Sequence, residues 1–239
     1  MNINIYDVSK KAGVSIATVS RVLNGNTRVS EKTRDKVINA MKELDYTPNV
    51  FARGLGLNTM KTIGIMCIDS SDIYLANAVY YLEQELRKYN YDSILCCTGK
   101  DYNNKKNYLE LLLSKRVDGI LAGSQFVENT NEHNNDYIIN AAKDVPIVLV
   151  NGYLNADNIY SVMCNDEEAV YNATKLLINN SHRNIVYLYT STSYSGMNKY
   201  RGYLKAINEA GITLPDEFHH LCGKNISHAR DYLTYLYDK

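Results

Sequence analysis

The stretch Tyr6-Asp7-Val8-Ser9-Lys10-Lys11-Ala12-Gly13-Val14-Ser15-Ile16-Ala17-Thr18-Val19-Ser20-Arg21-Val22-Leu23-Asn24 decides how the N-terminal region folds. Asn4 can cap a first helix over Ile5 to Ala12, because Ile5, Val8 and Ala12 recur on one helical face and Gly13 then stops the turn. Ser15 can cap a second helix over Ile16 to Leu23, with Val19, Val22 and Leu23 inward and Ala17, Ser20 and Arg21 outward. Helix, three-residue turn and helix make a helix-turn-helix pattern. Beyond the Asn24-Gly25-Asn26 turn, Ser30 can cap a third helix near Glu31 to Leu44, with Thr33 at the capping spacing. Its expected buried stripe is Val37, Ile38, Met41 and Leu44.

Two readings fit this pattern: a small helical domain with a solvated charged face, or a DNA reader. The tight Gly13-Val14-Ser15 turn and the small outward residues of the second helix favour the reader. Ile16, Ala17 and Arg21 would then face base edges, while Thr18, Ser20, Tyr6, Asn24 and Arg34 would contact phosphate or sugar, and the cap Ser15 would lie among the DNA-binding residues. Charge agrees. The 239 residues sum to a net charge of +0, but residues 1–60 hold nine Lys/Arg against five Asp/Glu, leaving 17 against 21 for the rest. A basic head on an acidic body assigns nucleic-acid contact to the head.

Hydrophobic residues at 45% support real cores and exclude a mainly disordered chain. The N-terminus lacks a secretory pattern and no apolar run reaches membrane-spanning length, so a cytoplasmic protein without a membrane partner is expected. Cys67, Cys96, Cys97, Cys164 and Cys222 are odd in number and mostly lie in apolar strand-like segments, which points to reduced, buried thiols.

The run from Tyr6 to Asn24 resembles the signature of the lactose/galactose repressor (LacI/GalR) family, and Val29-Ser30-Glu31-Lys32-Thr33-Arg34 with Tyr46-Thr47-Pro48-Asn49 continues it. The resemblance places Ile16 and Ala17 where members vary with operator sequence. From the residues, Pro48 disfavours continuing the third helix, and a short helix can run from Asn49 to Leu57. The resemblance makes this a hinge helix that pairs with its dimer mate in the minor groove. Leu55 would be the wedge at the central base step, Ala52 would pack against the mate, and Asn49 and Arg53 would lie at the DNA. Gly54 and Gly56 each weaken an isolated helix by about 1 kcal/mol, so the hinge is expected to be disordered without DNA.

From Thr62 onward, short apolar runs alternate with helical ones, the order of a parallel sheet covered on both faces. Strands are expected at Thr62–Ile68, Asp92–Cys97, Gly119–Ala122, Ile147–Val150, Ser161–Met163 and Asn184–Tyr189. Helices are expected at Tyr74–Tyr89, Asn103–Ser114, Asp136–Lys143, Glu167–Asn179 and Asn198–Ala210. The first strand has no Gly-x-Gly-x-x-Gly after it, so neither a dinucleotide nor a triphosphate site is indicated, and no cofactor is expected.

This body resembles the family's effector domain, which is similar to the two-lobed periplasmic sugar-binding proteins. Related segments include Thr62-Ile63-Gly64 with Asp69, Arg116-Val117-Asp118-Gly119-Ile120, Asn165-Asp166-Glu167-Glu168-Ala169 and Arg201-Gly202-Tyr203-Leu204. The resemblance implies a cleft site in which one lobe offers Ile73, Tyr74, Ser124 and Asn151 and the other Asp166 and Lys199. Its small-molecule effector would be a sugar or sugar phosphate. Lys199 stands where the family usually has Arg, and it lacks the planar two-pronged bond. Arg201 points about 200 degrees away on a helix and reads as a surface residue. Tyr74 also fits simple packing, and Asp166 a helix cap.

His219, His220, Cys222 and His228 invite a zinc reading, but no second compact ligand pair completes a four-ligand set, so no metal is expected. No Gly-x-Ser-x-Gly elbow is present and nothing supports catalysis, so the chain does not read as an enzyme.

The fold class is thus an all-α helix-turn-helix head with a hinge helix, followed by an α/β periplasmic-binding-protein-like (type I) effector domain, incomplete at the C-terminus against the family pattern. The expected domains are 1–48 for the head, 49–60 for the hinge and linker, 61–155 for the first lobe and 156–239 for a partial second lobe. The function expected is a homodimeric repressor of a pseudo-palindromic double-stranded operator, controlled by the effector. A DNA-binding fragment without effector response and a sugar-binding α/β protein without DNA binding are the alternatives.

Overall fold

Asn4, Ser15 and Ser30 each sit in extended backbone with a side-chain oxygen accepting an N–H of the next turn, and these caps start the three helices of the head: α1 (Ile5–Ala12), α2 (Ile16–Leu23) and α3 (Glu31–Glu43). The computed structural model describes residues 3–48, 54, 57, 59–127, 132–223 and 225–239. The chain divides into two compact units, Met1–Thr62 and Ile63–Lys239. The hinge positions Asn49, Ala52, Arg53 and Leu55 lie outside the described residues.

In the head, Asn4 closes a capping box with Asp7. Gly13 ends α1 at φ 64, a left-handed conformation that a side chain would strain. Val14 N–H donates to Ser9 O at 3.2 Å and Ser9 Oγ to Val14 O at 2.6 Å, which fixes the angle at which α2 leaves. Val8, Val19, Val22, Val37 and Ala40 form the core, with Ile5, Ala12, Leu23, Met41 and Leu44 packed around it. Ile38 departs from the expected stripe: it is exposed, and Ala40 is buried instead, because the inward face of α3 follows Val37, Ala40, Met41 and Leu44.

The second unit holds two sheets. The five-stranded sheet has the order β2-β1-β3-β4-β5. Its strands are β1 (Thr62–Cys67), β2 (Asp92–Cys97), β3 (Gly119–Gly123), β4 (Ile147–Val150) and β5 (Ile159–Val162). The pairs β1 with β3, β3 with β4 and β4 with β5 run parallel, registered by Ile63 on Gly119, Ile120 on Ile147 and Ile147 on Ile159. Helices α4 (Ile73–Lys88), α5 (Tyr102–Ser114) and α6 (Asp136–Ala141) connect them. Met66, Leu109, Leu112, Ile120, Phe126, Ile138, Ile147 and Leu149 lie in one core between sheet and helices. β5 starts two residues earlier than expected and, although it lies beyond residue 155, completes the first sheet.

The chain then enters α7 (Asp166–Asn179), β6 (Tyr187–Tyr189), α8 (Tyr194–Glu209), β7 (His219–Leu221) and α9 (Ile226–Asp238). β6 and β7 pair in parallel, Tyr187 on His219. A second core joins Ile185, Tyr203 and Ile207 with Val170, Tyr187, Tyr200 and Leu204. Gly202 lets α8 lie directly on α7, since a Cβ there would stand 2.1 Å from Glu167 O. Two elements differ from expectation: β6 lacks residues 184–186, and α8 begins at Tyr194 rather than Asn198 because Ser193 caps it, its side chain accepting Gly196 N–H.

Candidate functional site

The first candidate surface is the outer face of the head. Tyr6 is 67% exposed and Ile16 38%, although apolar side chains of a three-helix unit ordinarily go inward; they sit with exposed Ala17 and Arg21. Arg21 forms no ion pair among the described residues, so its charge is available. Ser15 Oγ lies 2.9 Å from Thr18 Oγ1 and accepts Thr18 N–H at 3.2 Å, which holds the first turn of α2 in shape. Ser20 and Asn24 meet one turn apart, Asn24 Nδ2 donating to Ser20 Oγ at 3.5 Å. Arg34 donates one guanidinium N–H to Asn26 O at 3.0 Å, which braces the turn after α2 and leaves its other N–H groups to meet a phosphate.

The second candidate is a cavity of about 340 Å³ in the body. It opens where β1, β3, β4 and β6 end, and Cys67, Ser124, Asn151 and Thr190 lie on its wall at those ends. Carboxyl ends of strands are where open α/β sheets hold ligands. Of the six positions expected from sequence, Tyr74, Ser124, Asn151 and Lys199 line this one cavity. Ile73 does not line it and is 80% exposed. Asp166 lies behind the wall, buried, accepting Ser195 Oγ at 2.5 Å and facing Lys199 Nζ at 3.6 Å.

Asn151 adopts φ 54 and connects three segments: its Nδ2 donates to Tyr74 OH at 3.1 Å, and its Oδ1 accepts Cys164 N–H at 3.0 Å. Asp72 starts α4 beside the cavity by accepting Leu75 N–H at 3.1 Å. Arg201 is exposed and lies 3.7 Å from Glu167, away from the cavity wall.

Sequence reasoning did not single out the run Thr190, Ser191, Ser193 and Ser195 on the cavity wall, although a hydroxyl-rich segment between a strand and a helix is the signal that marks it. It also missed Lys105. This buried lysine donates to Gln125 O at 2.8 Å and lies 5.6 Å from the Phe126 ring, so it holds the turn that carries Ser124 and Gln125 into the cavity.

Tyr187 and Tyr189 add an aromatic wall backed by a stack: Tyr187 on Tyr203 at 4.9 Å and Tyr189 on Tyr200 at 5.2 Å between ring centres. Burial, then the Asp166 charge, raises the Tyr187 phenol above its ordinary range. His219 lies beside this stack, tilted 53° to the Tyr200 ring with its Nδ1 3.0 Å from Tyr200 OH, while His220 stacks on Tyr232 at 3.9 Å. Cys97 and Cys164 are exposed and Cys222 is half-buried, which corrects the expectation of mostly buried thiols; Cys67 and Cys96 are buried. Strand alternation turns Cys97 outward where Cys96 turns in. No helix among the described residues is long and apolar enough to cross a membrane.

Hydroxyls, amides, two lysines (Lys100 and Lys199) and tyrosine rings punctuate a mainly apolar lining that includes Ile65, Met66, Leu75, Val79 and Leu82, so a few directional bonds would orient a ligand held largely by shape.

Residues 4–49 match the family model described as bacterial regulatory proteins, lacI family, and residues 60–239 match that of periplasmic binding proteins and sugar binding domain of LacI family. The chain belongs to the lacI family. Membership makes it a DNA-binding transcription regulator and not an enzyme. It is 58% identical over 234 residues to an HTH-type transcriptional regulator of Lachnoclostridium phytofermentans, covering 98% of this chain and 70% of that protein. It is 35% identical over 217 residues to the HTH-type transcriptional repressor PurR of Mannheimia succiniciproducens, covering 90% of this chain and 63% of the relative. The LacI fold itself is shown by a crystal structure of the Lac repressor dimer bound to operator and the anti-inducer ONPF, with a TM-score of 0.85 at 22% identity over 100% of this chain and 71% of that one.

Proposed function

We propose that this LacI-family regulator is a homodimeric repressor that reads a pseudo-palindromic operator through α2 and is controlled by a sugar or sugar phosphate held in the body cavity. The exposed set Tyr6, Ile16, Ala17 and Arg21 on a helix braced by its Ser15 cap carries the DNA reading. Ile16, Ala17 and Arg21 meet base edges. Tyr6, Ser15, Thr18, Ser20, Asn24 and Arg34 contact the backbone, and Asn49, Ala52, Arg53 and Leu55 form the hinge contact in the minor groove.

The effector reading rests on Tyr74, Ser124, Asn151 and Lys199 sharing one cavity, with Asp166 bonded behind it to Ser195. The matched model is that of a sugar binding domain, and the relative PurR is a repressor. The two lobes of the body, 61–155 extended through β5 and the remainder to 239, close on the ligand. Pairing of two copies is supported by Ile73, Tyr80 and Tyr81, which leave an exposed apolar strip on α4. Coupling is reciprocal: an effector that weakens operator binding is itself bound less tightly by the operator complex.

Selection of duplexes from a random pool by this chain, repeated with single sugars and sugar phosphates present, tests the proposal. Recovery of one two-fold-symmetric sequence whose binding changes with one sugar class supports it. Recovery of no preferred sequence removes the DNA reading, and a preferred sequence indifferent to every sugar and sugar phosphate removes the effector reading.

A further inference from the structure

β1 and β2 are neighbours in the five-stranded sheet, and Thr98 N–H donates to Cys67 O at 2.9 Å, which brings the ends of the two strands level. There the Sγ atoms of Cys67 and Cys97 lie 3.6 Å apart. Cys67 is buried on the cavity wall, whereas Cys97 is open to solvent. A disulfide needs about 2.05 Å between sulfurs and a few ångströms between β-carbons, a change within reach of side-chain rotation across adjacent strands. From these contacts we infer that Cys67 and Cys97 form an oxidisable dithiol, a modification site that hydrogen peroxide converts to a disulfide in the cavity wall.

The chemistry balances. The exposed Cys97 sulfur attacks one peroxide oxygen; an S–O bond forms, the O–O bond breaks, and the leaving oxygen departs as water with the thiol proton. Cys67 sulfur then attacks Cys97 sulfur, forming S–S and breaking S–O, and the departing hydroxide leaves as water with the Cys67 proton. Each sulfur gives up one electron and the two peroxide oxygens are reduced to two waters.

The order of events follows from the environment. Burial, the Cys97 thiol and the Asp69 charge push the Cys67 thiol up to about 12, so Cys67 does not react first and gives up its proton only to the hydroxide that departs from oxidised Cys97. Cys96 does not compete: it faces the opposite side of β2, inside the core with Leu109 and Ile120. Cys164 is exposed, has no sulfur contact among the described residues and serves as an internal control. The link would fasten the base of the turn through Thr98 and Gly99 that carries Lys100 to the cavity, so effector binding and redox state would share one wall.

The inference does not depend on the identity of operator or effector. Its test is hydrogen peroxide treatment of the folded chain at neutral pH, followed by alkylation and peptide mapping. A Cys67 to Cys97 linked peptide, lost on dithiothreitol treatment, is expected. It should vanish completely in Cys97→Ser, which alters an exposed position and should keep the circular dichroism spectrum unchanged. Recovery of Cys97 as sulfinic acid with Cys67 still alkylatable, of Cys97 linked to Cys164, or of unmodified Cys97 after Cys164 is consumed would each overturn it.

Discussion

Ser195 Oγ donates to Asp166 Oδ2 at 2.5 Å, and this buried bond ties the first turn of α8 to the first turn of α7 behind the cavity. Asp166 thereby serves two ends: its helix is capped by Asn165, whose Oδ1 accepts Glu168 N–H at 3.2 Å, and its carboxylate holds a serine of the cavity wall. Replacing Ser195 with Ala leaves the carboxylate short of a donor and should cost about 2 kcal/mol. Urea unfolding should show a lower midpoint with an unchanged slope. An unchanged midpoint would show that Lys199 alone satisfies Asp166.

Gly202→Ala probes the contact between α7 and α8 without touching the cavity. Its Cβ would meet Glu167 O at 2.1 Å, so one helix must shift. Overpacking of this kind costs about 1 to 3 kcal/mol, read in thermal denaturation of the body. A wild-type melting temperature would mean that the helices move apart freely.

Val19→Ala and Ser15→Ala separate folding of the head from its reading of DNA. Val19 is fully buried at the centre of the head, and its truncation should destabilise that unit by about 2 kcal/mol. Ser15 is an exposed cap, so its loss should cost about 1 kcal/mol in stability and, in addition, weaken duplex binding under conditions where the head remains folded. Equal binding by folded Ser15→Ala would remove that residue from the interface.

High pH should weaken the body through two groups of the same sign. Burial raises the Tyr203 phenol to about 12, and the Cys67 thiol is also raised to about 12. In the unfolded chain both lose their protons earlier, from their ordinary values of 10.0 and 9.0, so the unfolded state holds fewer protons between those values and about 12. Their contribution is therefore fully present below pH 9 and is lost as pH rises toward 12. Ultraviolet absorbance should show buried tyrosines, Tyr203 among them, ionising with the unfolding transition rather than before it; complete tyrosine ionisation in the folded state would contradict this.

Leu55→Ala follows from sequence alone, since Leu55 lies outside the described residues. If Leu55 is the minor-groove wedge, the variant should bind operator more weakly while the head melts at its normal temperature. Unchanged affinity would remove the wedge.

The head was legible because its determinants are local: Asn4, Ser15 and Ser30 each act within three residues, and Gly13 sets its turn by itself. Ile38 misled because one extra apolar residue beside Val37 does not say which of two faces packs. In the body, most strands and helices follow from apolar runs, but the α8 start was hidden inside a run of serines of which only Ser193 is the cap. The cavity was legible only in part. Tyr74 and Asn151 are 77 residues apart in the chain, and no local pattern reports that their side chains bond. Lys105 and Ser195 were missed for the same reason: each matters through a partner distant in sequence.

Operator recognition rests on α2 reading bases. The most direct measurement is equilibrium binding of the chain to its selected duplex and to a scrambled duplex of equal length and composition, across a range of salt concentrations. A preference of roughly a thousandfold or more for the selected duplex is expected, with binding to both weakening as salt rises. Equal affinity for the two duplexes would contradict it.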